Sequence, residues 1–137
     1  MIKSLVYIFN GRFPTEKAHG IQIAKMCEAF ANSGIAVTLI VPHRRNAILQ
    51  NAFEYYGVQR NFAVRRVRAI DLIDVFPHHL ANRIQTITSI ISFAWYLLWH
   101  HDDVYYARDP ASLVLLSFME RQYVAEIHDY RAKQPRW

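Results

Sequence analysis

The chain has 137 residues, of which 53% are hydrophobic and 20% charged, with a single cysteine and a formal charge of +5. That length suits one ordinary domain with a real core, and the composition excludes a disordered chain and a disulfide framework. The positive excess suits phosphorylated small molecules, nucleic acid or an anionic membrane face without choosing among them, and it equally fits a soluble domain that happens to be basic.

A lone cysteine, Cys27, makes a reducing cytoplasm the simplest home. The only early apolar run, Leu5 to Phe9, is short and has no small-residue cleavage site after it, so it does not read as a secretory leader. Its lack of polar alternation predicts a strand buried on both faces, as in a parallel sheet. A polar loop from Asn10 to His19 follows, and Gly20 to Ser33 reads as a helix. Ile23, Met26, Cys27, Phe30 and Ala31 form one apolar stripe, and Gly34 stands where a helix-ending glycine belongs. Ile35 to Val41 is a second buried-strand pattern closed by Pro42, which completes a βαβ-sized unit.

The middle of the chain carries weaker signals. His43 to Gln50 is polar and basic, and reads as a loop or short helix, with His43 solvated beside Arg44 and Arg45. Phe53 to Val58 is aromatic and has no assignment. Phe62 to Ile70 alternates apolar residues with Arg65, Arg66 and Arg68, which predicts a third strand near an edge. Leu80 to Trp99 is a long helix, flanked by His78-His79 and His100-His101. Its uncharged stretch is too short for a membrane span, and packing on a parallel sheet explains it most simply. The cluster Trp95, Tyr96 and Trp99 also fits an interfacial anchor. Asp102 to Ala107 is a fourth strand, Pro110 to Glu120 a helix, and Tyr123 to Ile127 a fifth strand.

Alternating strands and helices predict an α/β, Rossmann-like fold: a mostly parallel sheet of about five strands with helices on both faces. Ligands in such sheets sit beyond the carboxyl ends of the strands. Three segments therefore matter: the loop after the first strand, the Ala107-Arg108-Asp109 turn, and the Glu126 to Asp129 end of the fifth strand. In the loop, His19 and Gly20 open a helix, where backbone N–H groups and the helix dipole favour an anion. The same glycine also reads as a plain turn residue, since neither a dinucleotide fingerprint nor a P-loop is present. Asp109 before Pro110 predicts a helix cap. Arg108 either binds an acceptor group or phosphate, or pairs with a neighbouring carboxylate. Strand alternation puts Glu126 and His128 on one face, where His128 can move a proton or serve a structural end. The paired histidines lack zinc-site spacing, and Cys27 on the apolar stripe reads as a small buried hydrophobe.

Pro14 to Gly20 running into Ile21 to Met26, Gly34 to Ile40, Val104 to Asp109 and Val124 to Asp129 together resemble the N-terminal domain of family-4-type retaining glycosyltransferases of the GT-B architecture. The resemblance covers nearly the whole chain. It implies an acceptor-side domain spanning residues 1–137, facing a C-terminal domain that grips most of a nucleotide-sugar donor. Gly20 matches the second glycine of the family's loop, and His19 stands where a first glycine is frequent. His128 matches a histidine that contacts the donor sugar near the reacting centre, and is the catalytic candidate. His19, Gly20, Arg108, Asp109 and Glu126 are the substrate-binding candidates. No metal or other cofactor is needed, because basic side chains can stabilise the leaving diphosphate. The expected partners are a nucleotide-sugar donor, a carbohydrate or lipid acceptor and the missing C-terminal domain, with peripheral membrane contact a further option and nucleic acid a distant one. The chain by itself is expected to lack transferase activity, because the groups that offset leaving-group charge lie in the absent half. Its expected location is the cytoplasm, at the inner membrane face if the acceptor is a lipid. The alternative is a stand-alone nucleotide-binding or anion-binding module without catalysis.

Overall fold

The computed structural model describes residues 1–72 and 74–126. In chain order the elements are β1 (Ser4–Ile8), α1 (Ala18–Asn32), β2 (Ala36–Pro42), α2 (Ala52–Tyr56), β3 (Ala63–Val67), α3 (His78–Trp99), β4 (Val104–Ala107), α4 (Pro110–Phe118) and β5 (Tyr123–Ala125). All strand pairs are parallel, in the order β3-β2-β1-β4-β5. This is a Rossmann-like α/β domain, as the alternation of elements predicts.

The central strand explains the double-sided core. Val6, Tyr7 and Ile8 have no exposed surface. Leu5 and Tyr7 join Ile23 and Cys27 of α1 and Tyr56 of α2 on one face. Val6 and Ile8 join Phe93 and Leu97 of α3 and Leu116 of α4 on the other. A strand clad by helices on both sides has no use for alternating polarity, and β1 has none. Burial also pushes the Cys27 thiol up to about 12, so this residue is an inert core side chain.

Local chemistry sets the helix ends. After α1 the Gly34 N–H donates to the Ala31 carbonyl at 3.0 Å, and the Ile35 N–H reaches back to Phe30 at 3.3 Å. That pair of bonds needs a left-handed residue, and Gly34 supplies it with φ +89°. α1 starts at Ala18, two residues earlier than the sequence suggests, which puts His19 and Gly20 in its first turn. α2 has no counterpart in the sequence reading. Asn51 Oδ1 accepts the Phe53 N–H at 2.9 Å to start it, and Gly57 at φ +64° ends it. α4 begins as expected: Asp109 Oδ2 accepts the Ser112 N–H at 2.8 Å, with Pro110 in the first turn. Replacing Asp109 with Ala is expected to cost about 1 kcal/mol. A urea titration checks this, with the midpoint falling and the slope unchanged; an unmoved midpoint would mean the cap contributes nothing.

β3 and β5 are the sheet edges, and their residues are mostly exposed. α3 departs from the expectation of simple core packing. Phe93 and Leu97 are buried, but Trp95 and Trp99 are turned outward. A count of apolar residues gives the length of such a helix and not the direction its stripes face.

Candidate functional site

The chain builds β1, β2 and β3 in one direction across the sheet and then returns to place β4 on the other side of β1. The two crossovers leave from opposite sides of the β1–β4 boundary, which makes it the switch point beyond whose strand ends such sheets bind ligands. Register brings Tyr7 beside Tyr106 and Ile8 beside Ala107, so Arg108 follows at this switch point. The Glu126 N–H donates to the Ala107 carbonyl at 3.0 Å, which extends the β5 pairing by one residue and sets Glu126 next to it.

Glu126 is the hub of the cluster that results. The Tyr7 hydroxyl donates to its Oε2 at 3.1 Å, and Gln22 Nε2 of α1 donates to its Oε1 at 3.1 Å. The Glu126 carboxylate is also close enough to Tyr106 to act on its hydroxyl. Arg108 Nε lies 4.0 Å from Oε2, and both side chains are largely buried. Burial pushes the Tyr7 hydroxyl far above the usual tyrosine range, and the charge of Glu126 pushes in the same direction. Tyr106 is raised for the same two reasons. Both phenols therefore keep their protons, and Tyr7 acts as a donor. One guanidinium nitrogen of Arg108, Nη1, is buried with no hydrogen-bond partner among the described residues.

His19 completes this edge. Its ring sits against Phe9, with centroids 5.2 Å apart. Burial holds its pKa below the ordinary value, and the nearby charges of Arg108 and Lys17 add to the depression. The imidazole is therefore neutral at pH 7, and an anion bound beside it would raise its pKa.

Gly20 has a packing reason for lacking a side chain. A Cβ there would lie 2.2 Å from the Tyr56 hydroxyl and 2.6 Å from Thr15 Cγ2. That hydroxyl is fixed, since it accepts the Thr15 N–H at 2.6 Å and donates to the Thr15 carbonyl at 2.8 Å. The Gly20 N–H itself donates to the Lys17 carbonyl at 3.0 Å. A polar groove of about 420 Å³ runs from here toward the end of β2, past Asn10, Arg12, Lys17, His19, Arg44 and Arg45. Arg12 and Arg45 are paired with Glu16 and Asp74. Arg44 donates from Nη2 to Asn10 Oδ1 at 2.9 Å and is tucked in far enough for burial to lower its pKa.

The structure thus brings His19, Arg108 and Glu126 to one edge, while Asp109 turns to its cap and Gly20 to the Tyr56 contact. His128, with Ile127 and Asp129, lies outside the described residues. The sequence reading missed Tyr7, Tyr106 and Gln22. A tyrosine inside a strand reads as core, and only the pairing register sets two such side chains together beside one carboxylate. Among the described residues no cluster of His, Cys, Asp and Glu is arranged to hold a metal ion.

No family model matches the sequence. No curated protein matches it either. Solved structures do match in fold. The chain is similar to apo UGT2 of Phytolacca americana, with a TM-score of 0.66 and 9% identity over 91% of this chain and 29% of that one. It is similar to LpCGTa, solved in complex with UDP, with a TM-score of 0.62 and 10% identity over 93% of this chain and 30% of that one. It is also similar to the C-terminal domain of PF1911 hydrogenase from Pyrococcus furiosus, with a TM-score of 0.60, 13% identity and 90% coverage of both. The chain therefore shares the fold of part of UGT2 and LpCGTa and spans about 30% of their length. At these identities the likeness is one of fold, and a protein named for a different activity shares it.

Proposed function

We propose that this chain is the acceptor-side half of a GT-B glycosyltransferase that moves a hexose-type sugar, with retention of configuration, from a nucleotide donor to a carbohydrate or lipid acceptor. The observation that carries this reading is the Glu126 cluster at the sheet's switch point, with the buried donor of Arg108 in it. A carboxylate held by a phenol and an amide, with a second phenol close by and a partly satisfied guanidinium beside it, is suited to hydroxyl-rich and anionic ligands. Arg108 and neutral His19 meet the donor's phosphates and sugar, assisted by the Ala18 and His19 amides, which helix geometry leaves without intrahelical acceptors. Gly20 admits α1 to the Tyr56 contact and shapes this turn from behind. The groove past Arg44 and Arg45 receives the acceptor. His128, two residues beyond Glu126, contacts the donor sugar, and this role rests on the family resemblance. A second domain supplies the rest of the donor grip. UGT2 of Phytolacca americana was solved with UDP-2fluoro-glucose and pterostilbene, which makes a uridine diphosphate sugar the first donor to try.

In this reading the 137-residue chain binds UDP-glucose weakly, with Kd near about 1 mM, because half the contacts are missing. Chemical shift changes on titration should centre on His19, Arg108 and Glu126. Unmoved signals there would overturn the assignment. In the polypeptide that joins this chain to its donor domain, His128→Ala should lower turnover by about 100-fold; wild-type rates would remove His128 from the mechanism. The alternative reading is a stand-alone nucleotide-binding or anion-binding module without chemistry. Nucleotide binding at a Kd of about 1 μM by the chain alone would select that reading.

A further inference from the structure

α3 is amphipathic with its sense inverted. Its inward stripe is Ala81, Gln85, Ser89, Phe93 and Leu97. Gln85 is only 1% exposed and its Nε2 lacks a partner among the described residues, while Ser89 is fully buried. The outward stripe is Ile87, Ile91, Trp95 and Leu98, joined by Trp99, and each of these is more than half exposed. α4 repeats the pattern, with Ser112 buried and Val114 and Phe118 outward, Phe118 at 88% exposure. The two outward rows are neighbours. A groove of about 520 Å³ runs between them, floored by Ile87, Ile90, Ile91, Pro110, Ala111 and Val114. Soluble surfaces rarely expose a continuous apolar strip of this kind without a use for it.

The charge around the strip indicates what covers it. Neither α3 nor α4 contains an aspartate or glutamate. Arg83 lies one turn before Ile87 on α3. Arg68 shares a second groove, of about 460 Å³, with Ile91 and Trp95, and its carbonyl accepts the Ser92 hydroxyl. Asp102 and Arg65 are both close enough to Tyr96 to act on its hydroxyl, in opposite directions. Asp102 and Glu120 stand beyond the helix ends. Trp95 and Trp99 meet edge to face, with centroids 5.9 Å apart, at one end of the strip. A protein partner would meet a rim of mixed charge. Apolar residues flanked by arginines and ending in indoles match the boundary between headgroups and acyl chains instead. No helix among the described residues is long and apolar enough to cross a membrane, so the contact is with a surface.

We propose that the outward face of α3 and α4 docks on an anionic lipid bilayer, with Ile87, Ile91, Trp95 and Trp99 entering the interface and Arg65, Arg68 and Arg83 meeting lipid phosphates. The inference stands independently of the transferase reading. The test is co-sedimentation of the chain with vesicles of phosphatidylcholine alone and of phosphatidylcholine mixed with phosphatidylglycerol. The wild type should pellet with the mixed vesicles, and added salt should weaken the binding. Ile91→Ser/Trp95→Ser should lose about tenfold or more in partitioning. Both positions are exposed, so circular dichroism should show an unchanged fold. Arg65→Gln and Arg68→Gln should each weaken partitioning about fivefold. Absence of pelleting, or equal pelleting of the Ile91/Trp95 variant, overturns the proposal. A wild type that dimerises in solution, is made monomeric by the same variant and does not pellet would overturn it too, and would name a second copy as the occupant.

Discussion

Replacing Gly20 by alanine is expected to destabilise the chain by about 3 kcal/mol and to lower Tm by roughly 10 °C. The added Cβ falls 2.2 Å from the Tyr56 hydroxyl, well inside any van der Waals contact. A flexible side chain would swing aside at little cost. Tyr56 cannot, because its hydroxyl both accepts from and donates to the Thr15 backbone. Moving it strands a buried N–H and a buried carbonyl, at about 1–3 kcal/mol for each group left unsatisfied. The methyl also presses on Thr15 Cγ2 at 2.6 Å, so the strain has no easy exit. Tyr56→Phe alone loses the Thr15 bonds without adding volume. The double variant should therefore lose less than the sum of the two singles, since removing the hydroxyl makes room for the methyl. Thermal melts of the four proteins measure that coupling. If Gly20→Ala keeps its Tm but loses nucleotide binding, the glycine serves backbone approach to phosphate and the packing argument fails.

That contact shows where sequence stops being informative. The glycine was visible, and its position at a strand-to-helix turn invited an anion-binding reading. Its real neighbour is 36 residues away in a helix with no sequence assignment. α2 is only five residues long. One helical turn cannot build a periodic stripe, and its aromatic residues read equally well as strand or core. β1, β2 and the Asp109-Pro110 start were legible because each rests on local chemistry: an unbroken apolar run or a cap at fixed spacing. The convergence of the strand ends was legible too, because right-handed crossovers force it once the elements alternate. The members of the cluster were not. Tyr7 and Tyr106 look like core until pairing in register sets them side by side, with rings 4.8 Å apart, under one carboxylate. α3 was misleading for a different reason. Residues 81, 85, 89, 93 and 97 and residues 87, 91, 95 and 98 are both helical stripes, and the rule that the more apolar one turns inward is broken here. Such violations gather where a surface has work to do.

Under the proposed transferase reading, Arg108→Ala should have the largest effect on function, lowering turnover by about 100-fold once the chain is joined to a donor domain. The same substitution should raise the His19 pKa in the chain alone, because Arg108 is one of the charges that holds it down. The rise should be partial, since burial, the larger cause, and Lys17 both remain. The sign extends to stability. A histidine whose folded pKa is depressed destabilises the fold as pH drops through its unfolded value near 6.5, and Arg108→Ala should soften that acid loss. Glu126 keeps its bonds to Tyr7 and Gln22 in the variant, and the 4.0 Å ion pair is long, so the fold should survive. Arg108→Lys separates charge from geometry. Lysine retains the positive charge, so His19 should stay depressed, but it lacks the planar fork that presents Nη1 to an anion. Turnover should therefore fall with Lys while the His19 titration does not move. Proton NMR of the His19 ring and a transfer assay read the two effects apart. If both variants turn over at the wild-type rate, Arg108 is only a structural partner of Glu126, and the donor site must lie elsewhere along the strand ends.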